Sequence, residues 1–189
     1  MAEAHSAEPR IRRLGASDGD RLLRHFLRLD TEGRRLRFGG QVTEEHARAY
    51  CARLDWRRSL ALGCFVDDEL RAVGELKSMG GAPSGRAAAE LAVSVERPFQ
   101  GRGIGTELCR RLVVRARNRL VATVHMLCLH ENRRVQRIAR GLGGALAFHP
   151  GEAEARLDLR LPDLLTGAEE WLDEVSGVML RDRTIPARP

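Results

Sequence analysis

The sequence predicts an α+β domain: a central mixed, mostly antiparallel sheet with helices on both faces. Three observations lead there. Apolar runs at 60–66 and 70–77 flank Asp67-Asp68 in the pattern of an antiparallel hairpin. The alternating stretch Leu91-Ala92-Val93-Ser94-Val95 runs into glycines at 101, 103 and 105, and a long helical pattern begins at Ile104. A further strand at 124–129 follows that helix, so strand, helix and strand form a right-handed parallel crossover.

A short first strand is expected at 10–14. Asp18 suits the N-cap of a helix to about Leu29, whose Leu22, Leu23, Phe26, Leu27 and Leu29 share one side. Gly33, Gly39 and Gly40 break the pattern and leave a loop. Thr43 caps the next helix; Glu44 and Glu45 favour its positive end, and Ala47, Tyr50, Cys51 and Leu54 form its apolar stripe. The segment 80–85 reads as a loop leading into a strand at 88–95. The helix from Ile104 turns Leu108, Leu112, Val113, Ala116 and Leu120 to the sheet, while Arg110, Arg111, Arg117 and Asn118 fall outside that stripe and meet solvent. Strands at 145–148 and 155–161 complete the sheet. Residues 1–9 are read as a flexible N-terminus, 10–161 as one domain, and 162–189 as an appended helix, packed on the same chain, with a frayed tail.

Composition narrows the function classes. No apolar run approaches the ~20 residues of a membrane span, and the first nine residues carry no signal-peptide core. Cys51, Cys64, Cys109 and Cys128 stand far apart within apolar patterns, which predicts reduced, buried thiols, a cytoplasmic protein and no metal site. The net charge of +6 is compatible with a polyphosphate ligand, and an aromatic content of 4% leaves few rings for base stacking, which argues against nucleic acid. A nucleic-acid site on the basic surface is the weakest functional reading; it requires binding that falls steeply with salt.

A strand, a glycine run and a helix start make a phosphate cradle, because backbone N–H groups and the helix dipole converge on an anion. Spacing separates the candidates. A P-loop closes on Lys-Ser/Thr, whereas Thr106 follows Gly105 directly and Lys77 is the chain's one lysine. A dinucleotide fingerprint needs Gly-x-Gly-x-x-Gly, and Gly101, Gly103 and Gly105 give the wrong last interval.

Gln100-Gly101-Arg102-Gly103-Ile104-Gly105 fits Gln/Arg-x-x-Gly-x-Gly/Ala, and a strand-Asn-helix-Leu-Gly element follows, with Asn132 and Leu142-Gly143. Together these segments resemble the GNAT N-acetyltransferase superfamily over about residues 10–150, nearest in feel to bacterial protein-lysine acetyltransferase domains. The resemblance implies acetyl-CoA as co-substrate and direct acetyl transfer to a primary amine, a protein lysine or a small molecule, with no metal. It places the pantetheine arm along Val93, Ser94 and Val95, the pyrophosphate on Gln100, Gly101, Arg102, Gly103, Ile104, Gly105 and Thr106, and Asn132 beside the cofactor. Arg133 and Arg134 are further phosphate candidates. It also implies Glu90 as general base. Many members carry a tyrosine in the helix after the Asn as general acid; none lies between Asn132 and Gly143, and His130 and Cys128 stand near that strand end. The segment 26–38, ending Arg37-Phe38, resembles the acceptor-site loop of the lysine acetyltransferases. The competing reading is a catalytically silent acetyl-CoA-binding sensor. A monomer or homodimer is expected.

Overall fold

A computed structural model describes residues 8–81, 87–160 and 167–172. Seven strands form one sheet: β1 (Arg10–Leu14), β2 (Ser59–Val66), β3 (Glu69–Gly81), β4 (Ala87–Val95), β5 (Thr123–Leu129), β6 (Ala145–His149) and β7 (Glu152–Asp158). Their spatial order is β1-β2-β3-β4-β5-β7-β6, and β4 with β5 is the parallel pair among antiparallel ones. Asp67 and Asp68 both take positive φ, the conformation a two-residue hairpin turn demands between β2 and β3.

Helices cover both faces. On one side α4 (Ile104–Asn118) and α5 (Arg133–Gly141) bury Ile104, Leu108, Leu112, Ala116 and Ala139 against Leu62, Leu76, Leu91, Val124 and Met126. On the other, α1 (Gly19–Arg28), α2 (Thr31–Phe38) and α3 (Glu44–Ala52) enclose Leu14, Leu22, Phe26, Ala47, Phe65 and Val73. Strand alternation assigns the faces: Ala89 and Leu91 of β4 belong to the α4 core, and the residues between them face α1 and α2. Full burial of a leucine such as Leu108 or Leu112 is worth roughly 1.5–3 kcal/mol, so this two-sided core supplies the main favourable term.

The chain departs from the sequence reading at several places, among them β3, which runs on to Gly81 into the expected loop, and Cys51, which is only half-buried. The expected loop after α1 is the helix α2. Asp30 caps it by accepting from Gly33 N at 2.6 Å, and a Cβ on Gly33 would lie 2.9 Å from the Asp30 carboxylate. Gly33 therefore permits the cap, and Gly39 at φ 76° ends the helix in the left-handed conformation. Asp18 stands at the N-cap of α1, but its carboxylate accepts from Arg12 and from Gly15 N instead. Arg111 and Arg115 of α4 are buried, with Arg111 donating to Glu107 at 2.7 Å, whereas Leu120 lies past the helix end and is exposed. The last strand, β7, begins at Glu152 and ends at Asp158, earlier than the 155–161 expected.

Of the appended segment, 167–172 is helical and sits against α4: Glu170 accepts from Asn118 at 2.6 Å and from Arg119 at 2.9 Å, and Glu169 pairs with Arg110. The loop residues 82–86, the N-terminal residues 1–7, and Leu164, Leu165, Val175 and Leu180 lie outside the described residues. Among the described residues no helix is long and apolar enough to cross a membrane, and Cys51, Cys64, Cys109 and Cys128 are free thiols.

Candidate active site

The site is built where the parallel pair comes apart. Three residue pairs join β4 to β5, Ala88 with Thr123, Ala89 with Val124 and Glu90 with His125, while β4 continues to Val95 and β5 to Leu129. Ala87 O accepts from Ala122 N, and Val95 O from the Gln100 side chain; Glu96 N donates instead to Arg71 on the β3 side. Odd-numbered residues of β4 thus present their backbone groups to the β5 side, and past Glu90 those of Leu91 and Val93 face the opening. An extended ligand can add to such an edge as a strand would.

The glycine run closes the wide end. Gly101 and Gly103 both sit at φ 77°, and Gly103 is the N-cap of α4. The first helical bond there is Glu107 N to Gly103 O, so the N–H groups of Ile104, Gly105 and Thr106 precede the helical ladder. Buried Ile104 anchors the turn, and a Cβ on Gly105 would stand 3.4 Å from side-chain atoms of both Val95 and Ile138. Gln100 donates to Val95 O at 2.8 Å and accepts from Arg134 at the start of α5. Arg102 is exposed and rests 5.4 Å from the Phe99 ring centroid, with Arg71 5.3 Å from the same centroid.

Across the opening, buried Asn132 is the N-cap of α5, its side-chain oxygen accepting from Val135 N at 3.3 Å. Arg133 donates to Gln136, whose amide in turn donates to His130 O at 2.7 Å. Burial pushes the Cys128 thiol up, with Gln136 opposing, and His130 lies beside Phe148 at 5.3 Å between centroids. The sole tyrosine, Tyr50, is far from α5 in sequence and committed elsewhere: it donates to Glu75 at 3.1 Å, and burial raises its phenol to about 12.

On the α1–α2 face the structure gathers groups that motif spacing does not reveal. Glu90 is half-buried and in register with Lys77 on β3 and His125 on β5. His125 Nδ1 lies 2.7 Å from Glu154 Oε1. Alternation along β5 sets His125 on the face opposite buried Val124 and Met126, and its partner on β7 follows from sheet order. Helix α2 packs over β4 and β5 and is fixed there by Arg35, bonded to Glu131 at 2.6 Å, and by Arg37, paired with buried Glu75.

Ser94 turns its side chain to this face and away from the α4 side. Its hydroxyl meets His25 Nε2 at 2.9 Å, and His25 Nδ1 lies 3.2 Å from Glu96. Burial lowers the His25 pKa against the pull of Glu96, which favours the neutral ring. Burial alone would raise the Glu96 carboxyl, yet hydrogen bonds from His25 and Arg28 outweigh it and hold Glu96 below its ordinary range. This cluster secures the end of the strand on which the glycine loop hangs.

Most of the expected donor-side residues are brought together, but Ser94 is not: its backbone groups face β3 and its side chain meets His25. Val93 and Val95 border the opening, Gln100 to Thr106 cap its wide end, and Asn132 stands opposite at the start of α5. Glu90 lies at the narrow end. Among the described residues no group of three or more His, Cys, Asp or Glu is arranged to hold a metal.

The family model described as acetyltransferase (GNAT) domain matches residues 10–145. Among solved structures, the GNAT domain of Streptomyces lividans PAT superposes with a TM-score of 0.67 at 20% identity, covering 84% of this chain and 100% of its own. An N-acetyltransferase from Staphylococcus aureus Mu50 gives 0.66 at 16%, covering 82% of this chain and 100% of its own. The yncA protein of Salmonella typhimurium, solved with its cofactor acetyl-CoA, gives 0.61 at 15%, covering 84% and 99%. A search of curated proteins found no match. The seven-stranded mixed sheet and the family match over residues 10–145 agree: the chain belongs to the GNAT acetyltransferase family.

Proposed function

We propose that the protein transfers an acetyl group from acetyl-CoA directly to a primary amine, either a protein lysine or a small-molecule amine. The observation that carries this reading is the parting of β4 from β5 at Glu90 and His125, with the α4 N-terminus at the far end of the opening. Acetyl-CoA carries a strand-like pantetheine arm and a pyrophosphate. The backbone groups of Leu91 and Val93 suit the arm. The N–H groups of the glycine loop and first turn of α4 suit the pyrophosphate, aided by the positive end of a 15-residue helix. The neighbouring yncA structure holds acetyl-CoA within the same fold.

Glu90 is our assigned base. It accepts a proton from the acceptor ammonium, the free amine attacks the thioester carbonyl, and the carbon–sulfur bond breaks with the remaining amine proton passing to the thiolate. Positioning the two reactants and removing one proton are the protein's main tasks.

Thiol release from acetyl-CoA, measured across amines and lysine-bearing peptides, tests the assignment. Glu90→Gln should lower kcat by roughly 10²–10⁴ on a good acceptor while leaving acetyl-CoA affinity in place. Equal turnover would remove Glu90 as base. Acetyl-CoA binding without turnover on any acceptor would favour the sensor reading, and no acetyl-CoA binding would overturn both.

A further inference from the structure

Glu90 needs a route by which its proton leaves, and the sheet beside it holds one. We propose that His125, oriented by Glu154, is the positioning and relay residue that carries the acceptor's proton from Glu90 to solvent; this rests on the acetyl-transfer reading above.

Glu90 and His125 form the last pair of the parallel ladder, so their side chains leave neighbouring strands on the same face, about 4.8 Å apart at the backbone. His125 is fixed from its far side by Glu154, at 2.7 Å from Nδ1. An ionised carboxylate only accepts, so Nδ1 carries the hydrogen and Nε2 is left as the bare acceptor. The side chains of His125 and Glu154 keep 22% and 33% of their exposure, which gives the imidazole contact with water that the packed strand interior lacks.

Among the charged neighbours, one carboxylate meets the ring. Along this level of the sheet Lys77 pairs in register with Glu90, and Arg156 with His125. Arg156 is occupied by Asp158 at 3.0 Å. From α2, packed over β4 and β5, Arg35 is held by Glu32 and Glu131, Arg37 by Glu75, and Arg34 donates to Leu27 O. Glu154 is thus the carboxylate in direct contact with the His125 ring, and it fixes the ring through Nδ1.

The proton balance closes. The acceptor ammonium gives one proton to Glu90. Glu90 passes it to His125 Nε2 while Nδ1–H stays on Glu154, and Nε2–H then yields it to water. The amine attacks, the thioester bond breaks, and the second amine proton leaves on the CoA thiol. One amide, one thiol and one free proton result.

The test is steady-state thiol release from pH 6 to 9 for wild type, His125→Ala and Glu154→Gln, with acetyl-CoA affinity measured in parallel. His125→Ala should lose roughly ten- to hundredfold in kcat at neutral pH, since general acid–base groups contribute on that scale or more. The deficit should shrink toward pH 9 and be partly recovered by added imidazole. Glu154→Gln keeps an acceptor for Nδ1–H but loses the charge, so it should show a smaller loss without imidazole recovery. Unchanged rates and pH profile in both variants would overturn the relay, as would a pH-independent loss in His125→Ala that imidazole does not restore. If His125→Ala does not fold, as judged by circular dichroism, Glu154→Gln decides: a changed pH profile supports the relay and an unchanged one overturns it. No thiol release by wild type with any amine overturns the acetyl-transfer reading itself, whereas a wild type that turns over isolates the relay as the claim under test.

Discussion

The Gln100 side chain donates to the carbonyl of Val95 at 2.8 Å and so fastens the glycine loop to the last residue of the strand that precedes it. The same amide accepts from Arg134, which ties the loop to α5 as well. Gln100→Ala should therefore leave the fold intact but loosen the cradle. A hydrogen bond of this kind is worth about 1 kcal/mol, which predicts a roughly fivefold weaker acetyl-CoA Kd by calorimetry. An unchanged Kd would mean that the loop holds its shape without the staple.

The loop glycines differ in why they are glycine, and the difference is measurable. Gly103 is at φ 77° with open space where a Cβ would stand, so Gly103→Ala should lose about 1–2 kcal/mol through backbone strain alone. Gly105 has no positive φ, and a Cβ there meets Val95 and Ile138 at ordinary contact distance. Gly105→Ala should stay within about 1 kcal/mol of wild type in urea unfolding, because alanine's better helix propensity offsets the tighter contact.

Arg37 and Glu75 form a buried pair beneath α2, with Tyr50 bonded to both and Phe26 and Phe38 beside the guanidinium. Removing one partner leaves the other charge buried alone. Arg37→Leu should cost about 3–5 kcal/mol in denaturant unfolding, and the double variant with Glu75→Leu should recover a large part of it. A double variant no more stable than Arg37→Leu would contradict this.

His25 supplies a pH dependence whose sign follows from its burial. Its pKa is lowered from the ordinary 6.5, so below that value the unfolded chain takes up a proton that the folded ring resists. Stability is then fully present above about pH 6.5 and declines as pH falls. Glu96, held below its ordinary 4.5, adds a second decline on further acidification. Urea midpoints followed from pH 8 to 4 should fall for wild type from about pH 6.5 downward, and His25→Gln should lack that first limb.

The glycine run and Asn132 were legible because their chemistry is local. A positive φ, an N-cap and a helix start are set by residues within one turn, and the strand-to-helix spacing needs nothing from elsewhere in the fold. The hairpin at Asp67-Asp68 was legible for the same reason. Helix α2 was hidden because Gly33 reads as a breaker by propensity, while in the structure it makes room for the Asp30 cap. Arg111 was assigned to solvent because charge predicts exposure, and acidic partners such as Glu107 and Glu170 let it and Arg115 be buried beside α4.

The sequence by itself pointed to the family and offered the glycine loop and Glu90 as site candidates, each through contiguous motifs. Only the tertiary structure decided that His25 of α1 would lock Ser94 and Glu96, that α2 would be tied across the parted strands, and that Glu154 of β7 would meet His125 beside Glu90. Those contacts join residues 29 to 96 positions apart. Side chains that distant become neighbours through strand order and register, which no periodicity along the chain records.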